Sequence, residues 1–156
     1  MVLCLSSGRP TYNFIREAIN QQMQSVAFLG LSRVAHIAPQ LKKSRGVLLV
    51  TTSVVPNPYN SKLSIVQEYR TLMQQYLPNK GLSTDSLEGF IAGSLLGYFL
   101  EQSSQSTTVT QLLNKITQTR PLIFKGLALQ YKEQTLSWSV WLNTGIESAW
   151  HEYSDR

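Results

Sequence analysis

Residues 46–58 read Gly-Val-Leu-Leu-Val-Thr-Thr-Ser-Val-Val-Pro-Asn-Pro, and they give the clearest indication of how this chain folds. Residues 47–55 form an apolar run that is rich in β-branched side chains, which favour strands. Because the run lacks strict polar alternation, it predicts a strand that is buried on both faces. Pro56-Asn57-Pro58 ends the strand, since proline cannot donate a hydrogen bond to a neighbouring strand.

Two shorter apolar runs precede this strand, at residues 2–5 and 26–29, and each is followed by a turn that contains glycine. Between them, residues 11–24 carry apolar side chains at helical spacing, and Pro10 suits the first turn of that helix. Residues 34–43 predict a second, shorter helix. Strands that alternate with helices are typical of a parallel sheet, so the fold class is α/β, with a βαβαβ unit over residues 1–55.

The second half of the chain changes character and predicts helices at residues 61–77, 83–101 and 109–117. Ser61 is the predicted N-cap of the first of these, since its hydroxyl can accept a free backbone N–H. The middle helix is expected to bury six apolar side chains: Leu87, Phe90, Ile91, Leu95, Tyr98 and Phe99. The same helix contains four small residues that allow another backbone or a sheet to approach closely: Ala92, Gly93, Ser94 and Gly97.

The last thirty-four residues are expected to form β structure. Residues 126–131 and 136–142 flank a polar turn and predict a C-terminal hairpin. Residues 146–153 are a last strand or a short helix. Trp138, Trp141 and Trp150 fall in this tail, where packing of the hairpin against helices is favoured over a stacking platform for sugars or bases.

Composition excludes several classes of protein. The chain has 156 residues, is 42% hydrophobic and 15% charged, and is therefore expected to be globular. Its net charge of +5 is scattered along the sequence, which argues against nucleic-acid binding. Cys4 is the only cysteine, so neither an internal disulfide nor a cysteine-based metal site is expected. No apolar run has the length of a membrane span, and no export signal is recognisable at the N-terminus.

Three serines are the candidate ligand-binding residues. In an open α/β sheet, ligands bind beyond the carboxyl ends of the parallel strands. Ser6 and Ser7 follow the first predicted strand, and Ser32 follows the second. Hydroxyls and free N–H groups at helix N-termini can hold a carboxylate or another anion. The alternative interpretation is that all three serines are caps and turn residues.

No recognisable catalytic motif is present. The sequence lacks a phosphate-binding loop, a dinucleotide fingerprint and a nucleophile elbow. His36 and His151 have no cysteine or carboxylate at metal-ligand spacing, and His36 is interpreted as a helix-surface residue. Glu88 is either a buried functional carboxylate or, as we favour, a structural residue near a helix start. We therefore predict no enzyme activity, no catalytic residues, no cofactor and no metal.

Several segments, in this order and spacing, resemble the periplasmic-binding-protein family of the leucine/isoleucine/valine-receptor type, the substrate-binding components of ABC transporters. The similarity covers most of residues 2–104 and thins out in the tail. It rests on a hinge-like segment, a helix with a Glu-Tyr pair and a Ser-Leu-Glu-Gly helix, namely Val54-Val55-Pro56-Asn57-Pro58, Val66-Gln67-Glu68-Tyr69 and Ser86-Leu87-Glu88-Gly89-Phe90-Ile91-Ala92. Upstream segments of the chain are also similar: Phe14-Ile15-Arg16-Glu17-Ala18, Phe28-Leu29-Gly30-Leu31-Ser32 and Gly46-Val47.

The resemblance implies an incomplete, type I two-lobed architecture that closes over a small ligand by hinge bending. Residues 1–55 would be part of the second α/β lobe and residues 56–60 the hinge crossing. Residues 61–122 would be helices that belong to the first lobe, and residues 123–156 a β tail that returns to the second. The first-lobe sheet has no counterpart in this chain, so the sequence is expected to be a truncated or split fragment.

In this resemblance Ser6 and Ser7 occupy a ligand-contacting loop. Ser32 stands where amino-acid receptors carry an acidic residue that pairs with the ligand's ammonium, so a neutral or anionic ligand such as an amide or carboxylate is as credible as an amino acid. The implied partners are that ligand, a membrane permease or sensor, and either a missing N-terminal half or a second copy through self-association. The implied compartment is the periplasm, whereas the chain as written predicts the cytoplasm. Two alternatives stay open: an interaction module that uses exposed amphipathic helices, and a small α/β enzyme.

Overall fold

The computed structural model describes residues 1–6, 8–23, 26–41, 48–103, 107–132, 135–136, 139–143 and 150–153, with the backbone alone at 35–36, 38–39 and 150–153. The strands are β1 (Val2–Cys4), β2 (Ala27–Gly30), β3 (Leu48–Ser53), β4 (Leu122–Phe124), β5 (Leu127–Leu129), β6 (Val140–Asn143) and β7 (Trp150–Tyr153). The helices are α1 (Gly8–Asn20), α2 (Ala38–Leu41), α3 (Ser64–Tyr76), α4 (Thr84–Glu101) and α5 (Val109–Thr117), and a 3-10 segment, Ser32–Ile37, leads into α2.

The chain forms two compact units. Met1–Val54 together with Val140–Tyr153 make up one, which we call the sheet unit. Val55–Ser139 make up the other, which we call the helical unit. The chain therefore passes from the sheet unit to the helical unit after Val54 and returns at Val140.

The sheet unit is built on five strands in the order β1-β2-β3-β6-β7. β1, β2 and β3 are parallel, which confirms the predicted βαβαβ arrangement. β6 lies antiparallel to β3, and β7 lies antiparallel to β6. The described part of the chain therefore ends in an antiparallel strand pair, as the predicted fold class had it, although the two strands are not those of the predicted hairpin.

The core of the sheet unit lies between the parallel strands and the helical segments that connect them. Apolar residues of α1 and of the 3-10 segment are almost fully buried against β2 and β3. The buried cluster consists of Cys4, Ile15, Ala18, Phe28, Val34, Ile37, Leu41 and Leu49. Its members come from each of the three predicted strand runs and both predicted helices, although Phe14 and Met23, two apolar residues of the first predicted helix, are exposed.

Gly30 is the position where the sheet unit requires a glycine. A Cβ atom built on Gly30 would lie 2.9 Å from Cβ of Val34. Real Cβ contacts are longer, so any larger residue here pushes the 3-10 segment away from β2. The glycine lets the chain turn from the strand directly into the segment that begins at Ser32.

The helical unit packs α4 against α3 and α5, and it also contains the two-stranded β4–β5 sheet. The Ser83 hydroxyl accepts a hydrogen bond from the Ser86 N–H at 3.1 Å and caps α4. Thr108 and Gln111 form a capping box at the start of α5. The β4–β5 turn places Gly126 at φ +93°, a left-handed conformation that glycine adopts without strain.

For the second half of the chain, the predicted N-cap was wrong and the predicted hairpin was only partly right. The N-cap of α3 is Leu63, whose side chain makes no capping bond, and the Ser61 hydroxyl instead accepts from the Leu63 N–H at 3.4 Å. The predicted hairpin is present only next to its turn, where Lys132 and Thr135 form an isolated bridge and the Gln130 N–H donates to the Leu136 carbonyl at 3.1 Å, while β5 pairs with β4. β6 pairs instead with β3, because burial of Trp141 in the large sheet outweighs a local hairpin.

The burial of α4 also differs from expectation. Leu87, Leu95 and Phe99 are buried, as predicted. Phe90, Ile91 and Tyr98 are only half-buried. The helix is apolar on every side, so the sequence carries no polar face that marks which residues point outward.

Candidate functional site

Strand register aligns the carboxyl ends of the three parallel strands. Cys4 pairs with Gly30, and Gly30 pairs with Thr51. The second residue after each of these positions is a serine, and the three serines are Ser6, Ser32 and Ser53. The candidate site is therefore one edge of the sheet unit, which we call the serine edge, and it lies where open α/β sheets bind their ligands.

Ser6 is anchored to the first turn of α1. Its hydroxyl lies 2.7 Å from the Thr11 hydroxyl, and the Thr11 hydroxyl also donates to the Ser6 carbonyl oxygen at 3.2 Å. Each hydroxyl has one hydrogen, so both bonds form together only when Ser6 donates to Thr11 Oγ1. The lone pairs of Ser6 Oγ are then left to accept a hydrogen bond, and Ser6 is exposed.

Thr11 is buried and belongs to the site in a supporting role. Its exposed fraction is 1%, and its side chain fixes both the backbone and the hydroxyl of Ser6. The sequence pattern did not single out Thr11. The sequence did contain a signal for this role: Thr11 lies in the first turn of a helix that follows a serine-containing turn. Threonine hydroxyls in that position commonly bond to nearby backbone.

Ser32 begins the 3-10 segment directly after β2 and is half-buried. The segment closes with a hydrogen bond of 2.8 Å from the Val34 N–H to the Leu31 carbonyl. Ser32 is therefore held in a short rigid turn, at the same offset from its strand as Ser6. Ser7, the third predicted ligand-binding residue, lies outside the described residues.

Ser53 is the residue of this edge that sequence reasoning did not select. Residues 53–56 were expected to form the carboxyl end of the third strand, but Ser53 was not chosen as a ligand-binding residue. In the structure β3 ends at Ser53, and Ser53 is buried opposite Trp141 of β6. Because Ser53 is buried, it packs within the sheet unit and does not present an exposed hydroxyl to a ligand.

The charges around the serine edge are positive. Arg9 and Arg33 are exposed; Arg9 lies in the first turn of α1, and Arg33 follows Ser32 in the 3-10 segment. The first turn of α1 carries no acidic residue. Among the side chains that the structure describes in the sheet unit, Glu17 is the single carboxylate, and it lies in the third turn of α1.

Glu17 itself is engaged along the surface of α1. Hydrogen bonds from Gln21, at 3.0 Å, and from Asn20 lower the pKa of the Glu17 carboxyl, and Arg16 adds to the effect. The group is ionised at neutral pH and already has its partners. It offers no free counter-charge to a cationic ligand at the serine edge.

The arrangement suits binding by hydrogen bonds and not covalent chemistry. Burial raises the pKa of the Cys4 thiol, so Cys4 stays protonated at neutral pH and is a poor nucleophile. Within the described residues, no three side chains of the kinds that ligate metals come together. Glu88 is exposed on α4, which agrees with the structural interpretation.

The remaining sequence candidates contribute little to a site. The side chains of His36, His151 and Trp150 lie outside the described residues, as does Trp138. Trp141 is buried in the sheet, so it packs in the core and does not form a stacking platform. In the described part of the chain, no helix combines the length and the apolar character that crossing a membrane requires.

The segment that follows β3 is fixed within the helical unit. The Asn57 side chain accepts from the Tyr59 N–H at 2.8 Å, and the Arg70 guanidinium donates to the carbonyls of Pro58 and Ser61 at 3.3 and 3.0 Å. Pro56 and Pro58 are almost fully buried. The predicted hinge segment is therefore rigidly attached to α3.

The two points where the chain leaves and re-enters the sheet unit are neighbours. Ser53 pairs with Trp141, so the next residues in this antiparallel register are Val54 and Val140. Val54 is 54% exposed and Val140 is 38% exposed, whereas the residues on either side of each are buried. Each crossing is thus marked by an exposed valine that lies between two buried residues.

Comparisons with known proteins support the fold. Neither a scan against protein-family models nor a search of curated proteins found a match. Among solved structures, the chain is similar to a possible leucine/isoleucine/valine-binding protein from Rhodopirellula baltica, with a TM-score of 0.76 and 25% identity. It is also similar to an extracellular ligand-binding receptor from Verminephrobacter eiseniae, with a TM-score of 0.70 and 18% identity.

The similarity covers nearly all of this chain but less than half of each solved structure. It covers 97% and 90% of this chain, but 42% and 41% of the two solved chains. The chain therefore has the fold of the C-terminal part of a periplasmic-binding-protein-like molecule, as predicted, and spans about two fifths of the length of these structures. Both neighbours are binding proteins, which supports the prediction of a binding protein that is not an enzyme.

Proposed function

We propose that this chain is the ligand-holding part of a substrate-binding receptor and that it holds a small polar ligand at the serine edge. The observation that carries the proposal is the alignment of Ser6 and Ser32 at the same offset from paired strand ends. Thr11 holds the Ser6 hydroxyl, and a backbone hydrogen bond closes the 3-10 turn that carries Ser32, so the Ser6 side chain and the Ser32 backbone are preorganised for a ligand.

The charges favour a ligand that carries a carboxylate. Arg9 and Arg33 attract an anion, and the first amides of α1 point their N–H groups toward the same edge. Ser6 Oγ supplies an acceptor for an N–H or O–H donor of the ligand. Because no described carboxylate neutralises an ammonium there, we propose a carboxylate with a neutral amide or hydroxyl in preference to a free amino acid.

We also propose that binding is coupled to a hinge motion centred on Val54 and Val140. The segment that the sequence predicted as the hinge is clamped to α3 by Arg70, so bending there breaks hydrogen bonds. Bending at the two exposed valines breaks none of these. In this scheme the ligand stabilises one domain arrangement, which a membrane permease or sensor outside the cytoplasm recognises.

The domain assignment follows from the same boundaries. We assign the sheet unit to the second lobe and the helical unit to the first lobe of a two-lobed receptor. The return crossing lies at Val140, because β4 and β5 belong to the helical unit. The rest of the first lobe is then supplied by polypeptide that this chain does not contain.

A thermal-shift screen tests the proposed function. The panel contains simple carboxylates, primary amides, hydroxy acids and α-amino acids, each at several millimolar. We expect at least one carboxylate-bearing compound to raise the unfolding temperature, because a ligand that binds only the folded state stabilises it by mass action. The effect should be lost in Ser32→Ala and kept in Ser64→Ala, a matched change at an exposed serine of α3.

Two results would count against the proposal. If no compound raises the unfolding temperature, the serine edge is not a ligand site of this class. If Ser32→Ala and Ser64→Ala respond equally to every active compound, binding occurs elsewhere on the molecule.

A further inference from the structure

Thr11 is bonded to Ser6 in a way that fixes the direction of the Ser6 hydroxyl. The two hydroxyl oxygens lie 2.7 Å apart, and the Thr11 hydroxyl donates its single hydrogen to the Ser6 carbonyl oxygen at 3.2 Å. The hydrogen between the two hydroxyls therefore comes from Ser6. In this state Ser6 Oγ has no hydrogen left to offer, and it can only accept a hydrogen bond from a ligand.

The burial of Thr11 holds this direction in place. Thr11 is 1% exposed, whereas Ser6 is exposed. If the Ser6 hydroxyl turned to donate outward, Thr11 Oγ1 would lose the donor that the structure gives it, and water does not reach a side chain so deeply buried. Because a buried acceptor without a partner is unfavourable, the turned state is disfavoured by about tenfold or more.

A hydroxyl that only accepts distinguishes the two common polar ends of a small ligand. A primary amide carries N–H groups and can donate to Ser6 Oγ. An ionised carboxylate has only acceptors, so its oxygens would face the Ser6 oxygen with no hydrogen between them. Since the two groups have nearly the same size and shape, a site separates them by hydrogen-bond direction and by charge.

The charges near the serine edge act in the opposite sense. Arg9 and Arg33 attract a second negative charge, so electrostatic attraction alone favours a diacid over its monoamide. Both side chains are exposed, however, and attraction of this kind is worth at most about fivefold in affinity and is screened by salt. At moderate ionic strength the direction of the Ser6 hydroxyl therefore decides the preference.

We infer that Thr11 is a positioning residue that makes the serine edge prefer the monoamide of a short dicarboxylic acid over the diacid. The carboxylate of such a ligand lies on the side of the arginines, and its amide donates to Ser6. Thr11 does not touch the ligand and acts through Ser6. The inference rests on the proposed function, because it names the class of ligand that the same edge takes.

Calorimetric titration of the chain with matched pairs of compounds tests the inference. The pairs are malonamate and malonate, succinamate and succinate, and glutaramate and glutarate. Neutral pH and about 0.3 M salt are used, so that exposed charges more than about 6 Å apart are screened. We expect the monoamide of at least one pair to bind about fivefold to tenfold more tightly than its diacid, because it gains a hydrogen bond and leaves the Thr11 bond intact.

Variants assign this preference to Thr11. Thr11→Val frees the Ser6 hydroxyl to donate and should bring the ratio of the two affinities close to one, since the monoamide loses a favourable contact and the diacid gains one. Thr11→Ser keeps the hydroxyl and should restore the ratio. A merely structural role of Thr11 would lower the unfolding temperature of Thr11→Val without changing the ratio.

Two further variants complete the test. Thr71→Val is the matched control, because Thr71 also donates its hydroxyl to a backbone carbonyl, that of Gln67 at 3.1 Å, but lies in α3; it should leave the ratio unchanged. Ser6→Ala removes the accepting oxygen itself and should bring the ratio close to one. Because Ser6 is exposed, this variant should fold even if Thr11→Val does not.

Three results overturn the inference: equal or tighter binding of the diacid in every pair, a ratio that Thr11→Val and Ser6→Ala both leave unchanged, and no binding of any of the six compounds. The proposed function is tested separately by the thermal-shift panel. If another compound of that panel binds and Ser32→Ala removes the binding, the serine edge is a ligand site whose specificity Thr11 does not set. If no compound of either set binds, both the inference and the proposed function are contradicted.

Discussion

At the scale of single residues, the proposed ligand site depends on how firmly Ser6 and Ser32 are held. Ser6 is bonded through both its hydroxyl and its carbonyl to Thr11, a residue that is itself buried. Ser32 sits at the start of a turn that Gly30 makes possible. The serines were predictable because each follows an apolar strand run, whereas the contribution of Thr11 depends on a contact between side chains five residues apart.

Thr11→Val tests the positioning role of Thr11. Valine has the shape of threonine but cannot bond to Ser6, and a single hydrogen bond contributes about 1 kcal/mol net, which corresponds to about fivefold in affinity. We expect the affinity for any ligand found in the screen to fall by about that factor. Thr11→Ser restores the hydroxyl and should recover most of the loss.

The readout is a titration by calorimetry at one pH for the three proteins. A merely structural role for Thr11 would lower the unfolding temperature of Thr11→Val and leave ligand affinity unchanged. That outcome would remove Thr11 from the candidate site.

At the scale of helices and strands, two glycines differ in whether a neighbouring residue lies close to them. Gly30 already has a neighbour, because an added Cβ would lie 2.9 Å from Cβ of Val34. Gly93 has none within the chain. The same substitution at the two positions should therefore have opposite effects on the stability of the isolated chain.

We expect Gly30→Ala to lower the free energy of unfolding by about 1–3 kcal/mol, because the 3-10 segment must shift. Gly93→Ala should raise it by about 0.5–1 kcal/mol, since alanine is the better helix former. Denaturant unfolding of the two variants and the unchanged chain measures both values. A loss of stability in Gly93→Ala would show that α4 is already closely packed on its outer side in the chain alone.

The elements that could be predicted are those whose signal is local. The strands of residues 1–55 are short apolar runs between turns, and α5 was predicted at its observed bounds, Val109–Thr117. The hairpin prediction was right only next to its turn, because β6 pairs instead with β3, about ninety residues earlier, through Ser53 and Trp141. Pairing over such a distance is decided by burial in the assembled sheet, which a local pattern does not encode.

The predicted N-cap at Ser61 failed for a related reason. A serine before a helical run fits the pattern of a cap. In the structure, however, Arg70 binds the Ser61 carbonyl and holds the residue in the turn after Pro58. The helix consequently begins three residues later, at Ser64.

At the scale of the whole molecule, the two units carry different parts of the proposed receptor. The sheet unit carries the serine edge, and the helical unit carries the crossing segment that Arg70 binds through the carbonyls of Pro58 and Ser61. Val54 and Val140, at which we propose the hinge, lie at the two boundaries of the sheet unit along the chain. The organisation into lobes was suggested by the resemblance of short motifs, and the position of the proposed hinge became visible only with the strand register.

The most direct test of the central claim, that this chain holds its ligand at the serine edge, is an NMR titration of the ¹⁵N-labelled chain. The amide signals are followed as a carboxylate-bearing compound from the panel is added up to several millimolar, a range in which weak binding to half of a cleft is still visible. We predict that the largest shifts are those of Ser6, Ser32 and the first turn of α1, and that Ser32→Ala removes them. Shifts confined to the helical unit, or no shifts with any compound of the panel, would contradict the claim.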